Sequence, residues 1–209
     1  ASQYMEAVEV LLGLAPEFTD LEYLDLGSGF KVSYFEGDRA TDMKQLGDVI
    51  SSRFNLFCKE YGKELKLIFE PGKYLVSNAG KFLVTCTGIK ENGGITFAGV
   101  DSGFNHLIRP MFYGAYHTIN NISNPNGELK KYDVVGNICE TDTFASDRQI
   151  PEIRVRDILA FENAGAYCFS MASSYNSRPR PAEVLIKEDG GQQIIRKRET
   201  IEDIWQGME

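Results

Sequence analysis

Residues 43–69 read MKQLGDVISSRFNLFCKEYGKELKLIF, a stretch that predicts a helix followed directly by a strand. Within residues 43–61 the apolar side chains recur at the spacing of one helix face: Leu46, Val49, Ile50, Phe54 and Phe57. Gly62 then supplies a stop, because glycine adopts the left-handed backbone conformation that often ends a helix. The apolar run from Leu65 to Phe69 predicts the strand.

A similar alternation precedes this stretch. Residues 5–14 have the apolar spacing of a helix, and residues 21–26 form a short strand run. Helices and strands that alternate in this way are typical of α/β units with parallel strands. A closed (β/α)8 barrel needs about eight strands. We therefore expect residues 1–77 to be a partial (β/α)8 barrel made of its last strand-helix units.

The pattern changes after residue 77. Short runs with strand character follow, separated by Gly, Pro and Asn, at residues 82–89, 95–100, 132–135, 158–161, 183–186 and 194–198. Residues 91–94 predict a hairpin turn, and Thr200 predicts the N-cap of a final helix. Residues 78–209 are thus expected to form an antiparallel β-domain of Greek-key or β-barrel-like type. The predicted fold class is α/β plus all-β, with the C-terminal part of a (β/α)8 barrel preceding this domain.

Composition excludes several classes of function. A net charge of -8 disfavours nucleic acid as a partner, because phosphate binding needs a basic face. No apolar run is long enough to predict a membrane span. The 4 cysteines are irregularly spaced and the histidines number 2, which predicts neither a disulfide framework nor a metal site. Reduced thiols in a cytoplasmic protein are the expectation.

Two segments of the C-terminal half are dense in reactive side chains. One is Gly136-Asn137-Ile138-Cys139-Glu140-Thr141-Asp142, and the other runs from Ala164-Gly165-Ala166-Tyr167 to Ser173-Ser174-Tyr175-Asn176-Ser177-Arg178. Reactive side chains on loops favour a functional role. Taken alone, a Cys-Glu pair is more often a packed thiol beside a solvated carboxylate.

Two glycine-containing turns each follow a predicted strand in the N-terminal half. These are Gly27-Ser28-Gly29 and Glu70-Pro71-Gly72-Lys73. Phosphate sites in barrels favour loops at the carboxyl ends of late strands, where backbone amides face an anion. Taken alone, each sequence is more often an ordinary loop. Arg109, in an aromatic-rich segment, is by itself more simply a surface ion-pair partner.

Together these motifs resemble the pyridoxal-phosphate-dependent decarboxylases of the alanine-racemase-like fold, and among them the diaminopimelate decarboxylases of bacterial lysine synthesis. Residues 24–30 with Tyr34 are similar to the family's Gly-Gly-Gly-Phe-Gly phosphate loop, and residues 70–73 are similar to its Glu-Pro-Gly-Arg. The resemblance extends over nearly the whole chain, with the motifs in the family's order. This chain departs from the family pattern at Ser28, Lys31 and Lys73.

The resemblance implies the roles of particular residues. The residues that contact pyridoxal 5'-phosphate would be Gly27, Ser28, Gly29, Glu70, Pro71, Gly72, Lys73 and Tyr175. The residues that bind the substrate would be Lys73, Arg109, Tyr113, Glu140 and Tyr175. Because a lysine cannot make the planar bidentate pair of an arginine, the contact at position 73 is expected to be looser.

Cys139 is the predicted catalytic residue. Decarboxylation leaves a carbon that must receive a proton, and cysteine thiols are mostly protonated at neutral pH. An adjacent carboxylate opposes loss of that proton. The resemblance implies that Cys139 is the general acid and that Glu140 binds the substrate's distal ammonium. It also implies a homodimer in which both reach the active site of the other subunit.

The resemblance favours meso-diaminopimelate as the substrate, which a carboxy-lyase would convert to L-lysine. Its distal amino-acid group needs an anion, here Glu140, and cations, here Arg109 and Lys73. Ornithine, arginine and carboxynorspermidine are the alternative substrates within the same fold. A non-catalytic homologue with a binding role is the alternative of a different class, and the departures from the family pattern are its only support.

The resemblance also predicts what this chain lacks. In the family the cofactor is held as a Schiff base on a lysine within Tyr-Ala-x-Lys-Ala-Asn, and no lysine of this sequence lies in such a context. We therefore expect the chain to be the C-terminal portion of the enzyme and to be inactive on its own.

Overall fold

The computed structural model describes residues 2–208, which divide into two units at Ser77 and Asn78. In the first unit two short parallel strands lie side by side, β1 (Tyr23–Asp25) and β2 (Lys66–Ile68). The helices of this unit are α1 (Ser2–Leu14), α2 (Met43–Tyr61) and α3 (Gly72–Val76). Single 3₁₀ turns occupy Ala15–Glu17 and Ser77–Ala79.

Helix α2 begins and ends where the sequence predicts. The Asp42 side chain accepts a hydrogen bond from the Gln45 amide, and Gly62 ends the helix with a φ of 80°. Four of the five side chains expected on its apolar face are buried: Leu46, Ile50, Phe54 and Phe57. The expectation for Val49 is wrong, since it is 43% exposed. Val49 lies at the margin of the apolar face, on the far side of Leu46 from Ile50.

The second unit contains a sheet of six strands in the order β5-β8-β3-β4-β6-β7. The strands are β3 (Phe82–Asn92), β4 (Ile95–Val100), β5 (Ile119–Asn121), β6 (Leu129–Val135), β7 (Thr143–Pro151) and β8 (Ile158–Phe161). The Asn121 amide donates to the carbonyls of Pro151 at 3.4 Å and Glu152 at 2.8 Å, which links the two edges. The sheet is therefore nearly closed, and Phe82, Phe144 and Phe161 pack together in its core.

The remaining elements of this unit lie outside the six-stranded sheet. Helix α4 (Arg109–Tyr113) follows β4, and β9 (Glu183–Ile186) pairs with β10 (Gln192–Arg196) in a separate antiparallel ribbon. Single 3₁₀ turns occupy Phe169–Met171 and Tyr175–Ser177. The final helix is α5 (Ile201–Trp205), and the predicted cap at Thr200 is confirmed as a reciprocal pair with Asp203.

The expectation of a wholly antiparallel domain is wrong at one pair of strands. The predicted hairpin is confirmed, with Gly93 and Gly94 at φ values of 59° and 79°. Strands β4 and β6, however, are parallel. Between them the chain leaves the sheet through α4 and forms β5, which pairs with β8 instead. This crossover depends on contacts between distant segments, which local patterns do not reveal.

Two structural findings bear on the classes of function. No helix in residues 2–208 is both long and apolar enough to cross a membrane. In the same range, no three side chains from His, Cys, Asp and Glu are grouped so that they could hold a metal ion.

Candidate active site

The two glycine-containing turns of the first unit meet at one edge of its sheet. They follow β1 and β2, whose carboxyl ends are adjacent because the strands are parallel. Backbone hydrogen bonds continue past the strands, from Leu26 N to Ile68 O at 3.0 Å and from Glu70 N to Gly27 O at 2.6 Å. The turn also needs glycine, since Gly27 and Gly29 have φ values of 63° and 104°.

The backbone amides of the first turn differ in their availability. The Gly27 N–H donates to the Asp25 carboxylate at 2.8 Å, so it is already satisfied. Ser28 and Gly29 are exposed residues, and their amides have no hydrogen-bond partner within residues 2–208. These two adjacent donors, together with the Ser28 hydroxyl, can bind an anion such as a phosphate. The Gly27 amide is thus engaged inside the turn, and its left-handed backbone helps to shape that turn.

The second turn differs from the ordinary Pro-Gly turn of the sequence interpretation. Gly72 begins α3, so Lys73 lies in a short helix. Its ammonium donates to the Tyr34 hydroxyl and lies 4.9 Å from the centre of the Tyr34 ring. Lys73 is half-buried and oriented by this tyrosine. Lys31, another departure from the family pattern, pairs with Asp38 inside its own loop.

In the second unit Asp142 organises the turn that carries Cys139. Its buried carboxylate accepts hydrogen bonds from the backbone amides of Phe104 at 2.8 Å and Ile138 at 2.9 Å. A Cβ at Gly136 would lie 2.0 Å from an oxygen of Asp142, so only glycine fits there. Burial raises the pKa of Asp142, although the two amide donors favour the charged form.

Four exposed side chains beside this turn form what we call the thiol cluster: Cys139, Glu140, Tyr175 and Asn176. The Cys139 thiol donates to Glu140 Oε2 at 3.3 Å, and the Tyr175 hydroxyl donates to Glu140 Oε1. The Asn176 amide donates to Cys139 Sγ at 3.8 Å. The bond from Tyr175 lowers the pKa of Glu140, and the same bond raises the pKa of Tyr175. The cluster therefore presents a thiol proton beside a charged carboxylate.

The two reactive segments of the sequence are held together by further contacts. The ring of Tyr175 packs on Phe104 with centroids 5.6 Å apart. Arg178 Nη2 donates to the carbonyl of Asn137 at 3.0 Å, which ties one segment to the other. The Ser173 amide donates to the carbonyl of Asn105 at 2.8 Å.

Arg109 and Tyr113 lie beside each other on one short helix. Both are in α4, with the Arg109 guanidinium 5.6 Å from the Tyr113 ring and 5.9 Å from the Tyr167 ring. Arg109 has no carboxylate partner within the described part of the chain. The surface ion pair that its sequence context alone favours is therefore not formed there. Within residues 2–208, no hydrogen bond or ring contact joins these two side chains to the thiol cluster.

Comparison with known families fits this arrangement. Residues 1–77 match the pyridoxal-dependent decarboxylase, pyridoxal binding domain, and residues 73–165 match the pyridoxal-dependent decarboxylase, C-terminal sheet domain. The chain belongs to the pyridoxal-dependent decarboxylases. It is thus similar to a family described by a cofactor-binding part and a sheet part, in the order in which the two units occur.

Relatives of this pyridoxal-dependent decarboxylase chain include diaminopimelate decarboxylases. The protein from Methanothermobacter thermautotrophicus is 43% identical over 98% of this chain and 49% of its own length. A crystal structure of diaminopimelate decarboxylase from M. jannaschii has a TM-score of 0.84 at 34% identity, over 97% of this chain and 46% of that one. The Helicobacter pylori enzyme in complex with L-lysine has a TM-score of 0.80 at 34% identity, over 97% and 48%. The chain spans about half the length of these relatives.

Sequence reasoning on this decarboxylase chain missed two residues that shape the site. Asp142 and Asn176 both lie within the two reactive segments, but the sequence motifs predict no role for either. The sequence signal for Asp142 is the glycine six positions before it. Gly136 has no side chain, and this leaves room for the Asp142 carboxylate. Nothing in the sequence pointed to a contact between Asn176 and Cys139, which lie 37 positions apart.

Proposed function

We propose that this chain supplies the phosphate-binding turn and the C-terminal sheet domain of a carboxy-lyase that decarboxylates meso-diaminopimelate to L-lysine with pyridoxal 5'-phosphate. The observation that carries the proposal is the thiol cluster, in which the Cys139 thiol and the Glu140 carboxylate are held side by side at 3.3 Å. The diaminopimelate decarboxylases among its relatives support the choice of reaction.

The first unit offers groups suited to the cofactor's phosphate. The free amides of Ser28 and Gly29 and the Ser28 hydroxyl would bind its oxygens, and residues 70–73 would border it. Tyr175 would contact the cofactor from the second unit. When bound, pyridoxal phosphate supplies an electron-accepting ring that stabilises negative charge at the carbon from which CO2 leaves.

Cys139 is the proposed catalytic acid. Its sulfur holds a proton that it delivers to the carbon that has lost CO2, and the electron pair of the broken S–H bond stays on sulfur. Glu140 accepts a hydrogen bond from the thiol, which holds the S–H group in one orientation. The thiol is exposed, so a substrate has access to it.

The charged side chains of the proposed site match the two charged groups at the distal end of the substrate. The lowered pKa of Glu140 keeps this carboxylate charged, as binding of a distal ammonium requires. Arg109, Tyr113 and Lys73 would bind the distal carboxylate, with Lys73 oriented by Tyr34. Ornithine has no distal carboxylate and would leave these cations unused. The alternatives are decarboxylation of ornithine, arginine or carboxynorspermidine, and a homologue that binds without catalysis.

The proposed architecture places residues 1–77 in the last strand-helix units of a (β/α)8 barrel and residues 78–209 in the C-terminal β-domain. The parallel pairing of β1 and β2 supports the barrel part.

The substrate assignment can be tested in the longer protein that contains this chain, loaded with pyridoxal phosphate. We expect release of CO2 from meso-diaminopimelate and formation of L-lysine. Ornithine, arginine and carboxynorspermidine, each at the same concentration, serve as control substrates. Equal or faster release from one of these would assign the enzyme to that substrate, and no release from any of them would favour a binding role.

We also expect the longer protein to be a homodimer whose active sites lie at the subunit interface. The reason is that the phosphate-binding turn and the thiol cluster belong to different units, and the family resemblance implies that they meet between subunits. Sedimentation of the active protein should give the mass of a dimer. An active monomer would contradict this expectation.

A further inference from the structure

Asn176 has an unusual backbone for a residue with a side chain. Its φ and ψ are 55° and 32°, and Ser177 also has a φ of 55°. The left-handed region is costly for residues other than glycine, and asparagine is among the few that tolerate it. Two such residues in succession persist only where surrounding contacts hold them.

Contacts on both sides of Asn176 hold this backbone. Before it, Tyr175 is fixed by Phe104 and by Glu140. After it, Arg178 is fixed by the carbonyl of Asn137, two residues before Cys139. The left-handed turn at Asn176 is therefore clamped to the turn that carries the thiol, and it directs the Asn176 amide at Cys139 Sγ.

The sulfur of Cys139 lies between two groups with opposite effects. Glu140 accepts a hydrogen bond from the thiol, whereas the Asn176 amide donates a hydrogen bond to the sulfur itself. We propose that Asn176 is a positioning residue that acts through Cys139: its amide orients the sulfur and stabilises the electron pair that sulfur retains when the proton leaves. This inference rests on the proposed role of Cys139 as the proton donor.

Asn176 gives no atom to the reaction. The proton moves from sulfur to carbon, the S–H electron pair remains on sulfur, and the amide keeps both of its hydrogens. Without this donor the charge left on sulfur would face Glu140 alone. An N–H donor on the sulfur offsets that repulsion, because hydrogen bonds to a charged acceptor are stronger than those to a neutral one.

Alkylation of Cys139 by iodoacetamide in the 209-residue chain tests this role without cofactor or substrate, because only the thiolate reacts. In Asn176→Gly, which keeps the left-handed backbone and deletes the amide, we expect alkylation at neutral pH to slow about three- to tenfold, the usual worth of one hydrogen bond. The pH–rate profile should move to higher pH. Asn176→Asp, which places a carboxylate beside the sulfur, should slow the reaction further.

The matched control is Ser177→Gly, which relieves backbone strain at the next residue and leaves both hydrogen bonds of the Cys139 sulfur in place. Peptide masses after digestion separate Cys139 from the other thiols, and burial raises the pKa of Cys168 to about 12, which keeps that thiol unreactive. Far-ultraviolet circular dichroism checks that each variant is folded.

The role of Asn176 would be overturned if Asn176→Gly were alkylated at the rate of the wild type. It would also be overturned if Ser177→Gly slowed the alkylation rate as much as Asn176→Gly does. Failure of the longer protein to release CO2, with alkylation slowed only in the Asn176 variants, would overturn the proposed function and leave the contact with the thiol intact. The two results are therefore distinguishable.

Discussion

Replacing Cys139 with alanine in the longer protein should lower turnover of meso-diaminopimelate by about 10²- to 10⁴-fold, the usual contribution of a positioned general acid. The substitution removes the proton donor and leaves Glu140 and Tyr175 in place, so the substrate retains its proposed anionic partner. The cofactor's absorbance should be unchanged, because the proposed phosphate donors lie in the first unit. Steady-state kinetics and an absorbance titration with pyridoxal phosphate give the two measurements.

Cys58→Ala is the matched control for Cys139→Ala. Cys58 is a half-buried thiol in α2 that packs against the core of the first unit and has no part in the thiol cluster. Its removal should leave turnover within about twofold of wild type, since Cys58 packs in the first unit and has no part in the proposed chemistry, and a modest packing change affects stability more than chemistry. Unchanged turnover in Cys139→Ala would remove this residue from the mechanism.

Local patterns in the sequence predicted those elements whose signals lie close together. The apolar spacing of residues 43–61 and the stop at Gly62 gave α2 its observed bounds. The run at residues 158–161 is β8, and Thr200 with Asp203 begins α5 as expected. In each case the deciding interactions lie within one helical turn or one strand, where periodicity and capping act.

Elements that depend on distant partners could not be predicted in this way. Strand β5 has three residues and exists because it pairs with β8, some forty positions further along. Buried and exposed residues do not alternate strictly along strand β7, and register shifts interrupt its pairing with β6. Helix α4 begins at Arg109-Pro110 and has 5 residues, too few to show a helical periodicity in the sequence.

The candidate site shows the same division. The residue types suited to acid chemistry, Cys139 and Glu140, were evident because they are adjacent in the sequence. The residues that position them were not, because Asp142 acts on Phe104 across 38 positions and Asn176 acts on Cys139 across 37. Sequence motifs thus indicate which side chains carry chemistry, whereas the hydrogen bonds that aim them become visible only in the folded chain.

The second large effect that we expect is a loss of stability when Asp142 is replaced. Each of its two carboxylate oxygens accepts one backbone amide, Oδ1 from Phe104 and Oδ2 from Ile138. An asparagine has one oxygen and one NH2 group, so it can accept from only one of these amides and would turn a donor toward the other. Asp142→Asn thus preserves the size of the side chain and removes one acceptor.

We expect Asp142→Asn to lower the free energy of unfolding at neutral pH by about 1–3 kcal/mol, the cost of leaving a buried donor unsatisfied. Urea unfolding followed by the fluorescence of Trp205, which lies in the same unit, measures this change.

Asp147→Asn is the matched control. Asp147 is exposed, and among the ion pairs of the described residues it pairs only with Lys131. Its φ is positive, a conformation that asparagine also tolerates. The control should change stability by less than about 0.5 kcal/mol, as is usual for surface sites. Equal destabilisation by the two substitutions would show that the Asp142 carboxylate does not hold the Cys139 turn. The shape of that turn would then depend on its backbone hydrogen bonds, from Gly136 N to Asp142 O at 2.7 Å and from Asn137 N to Ser102 O at 3.0 Å.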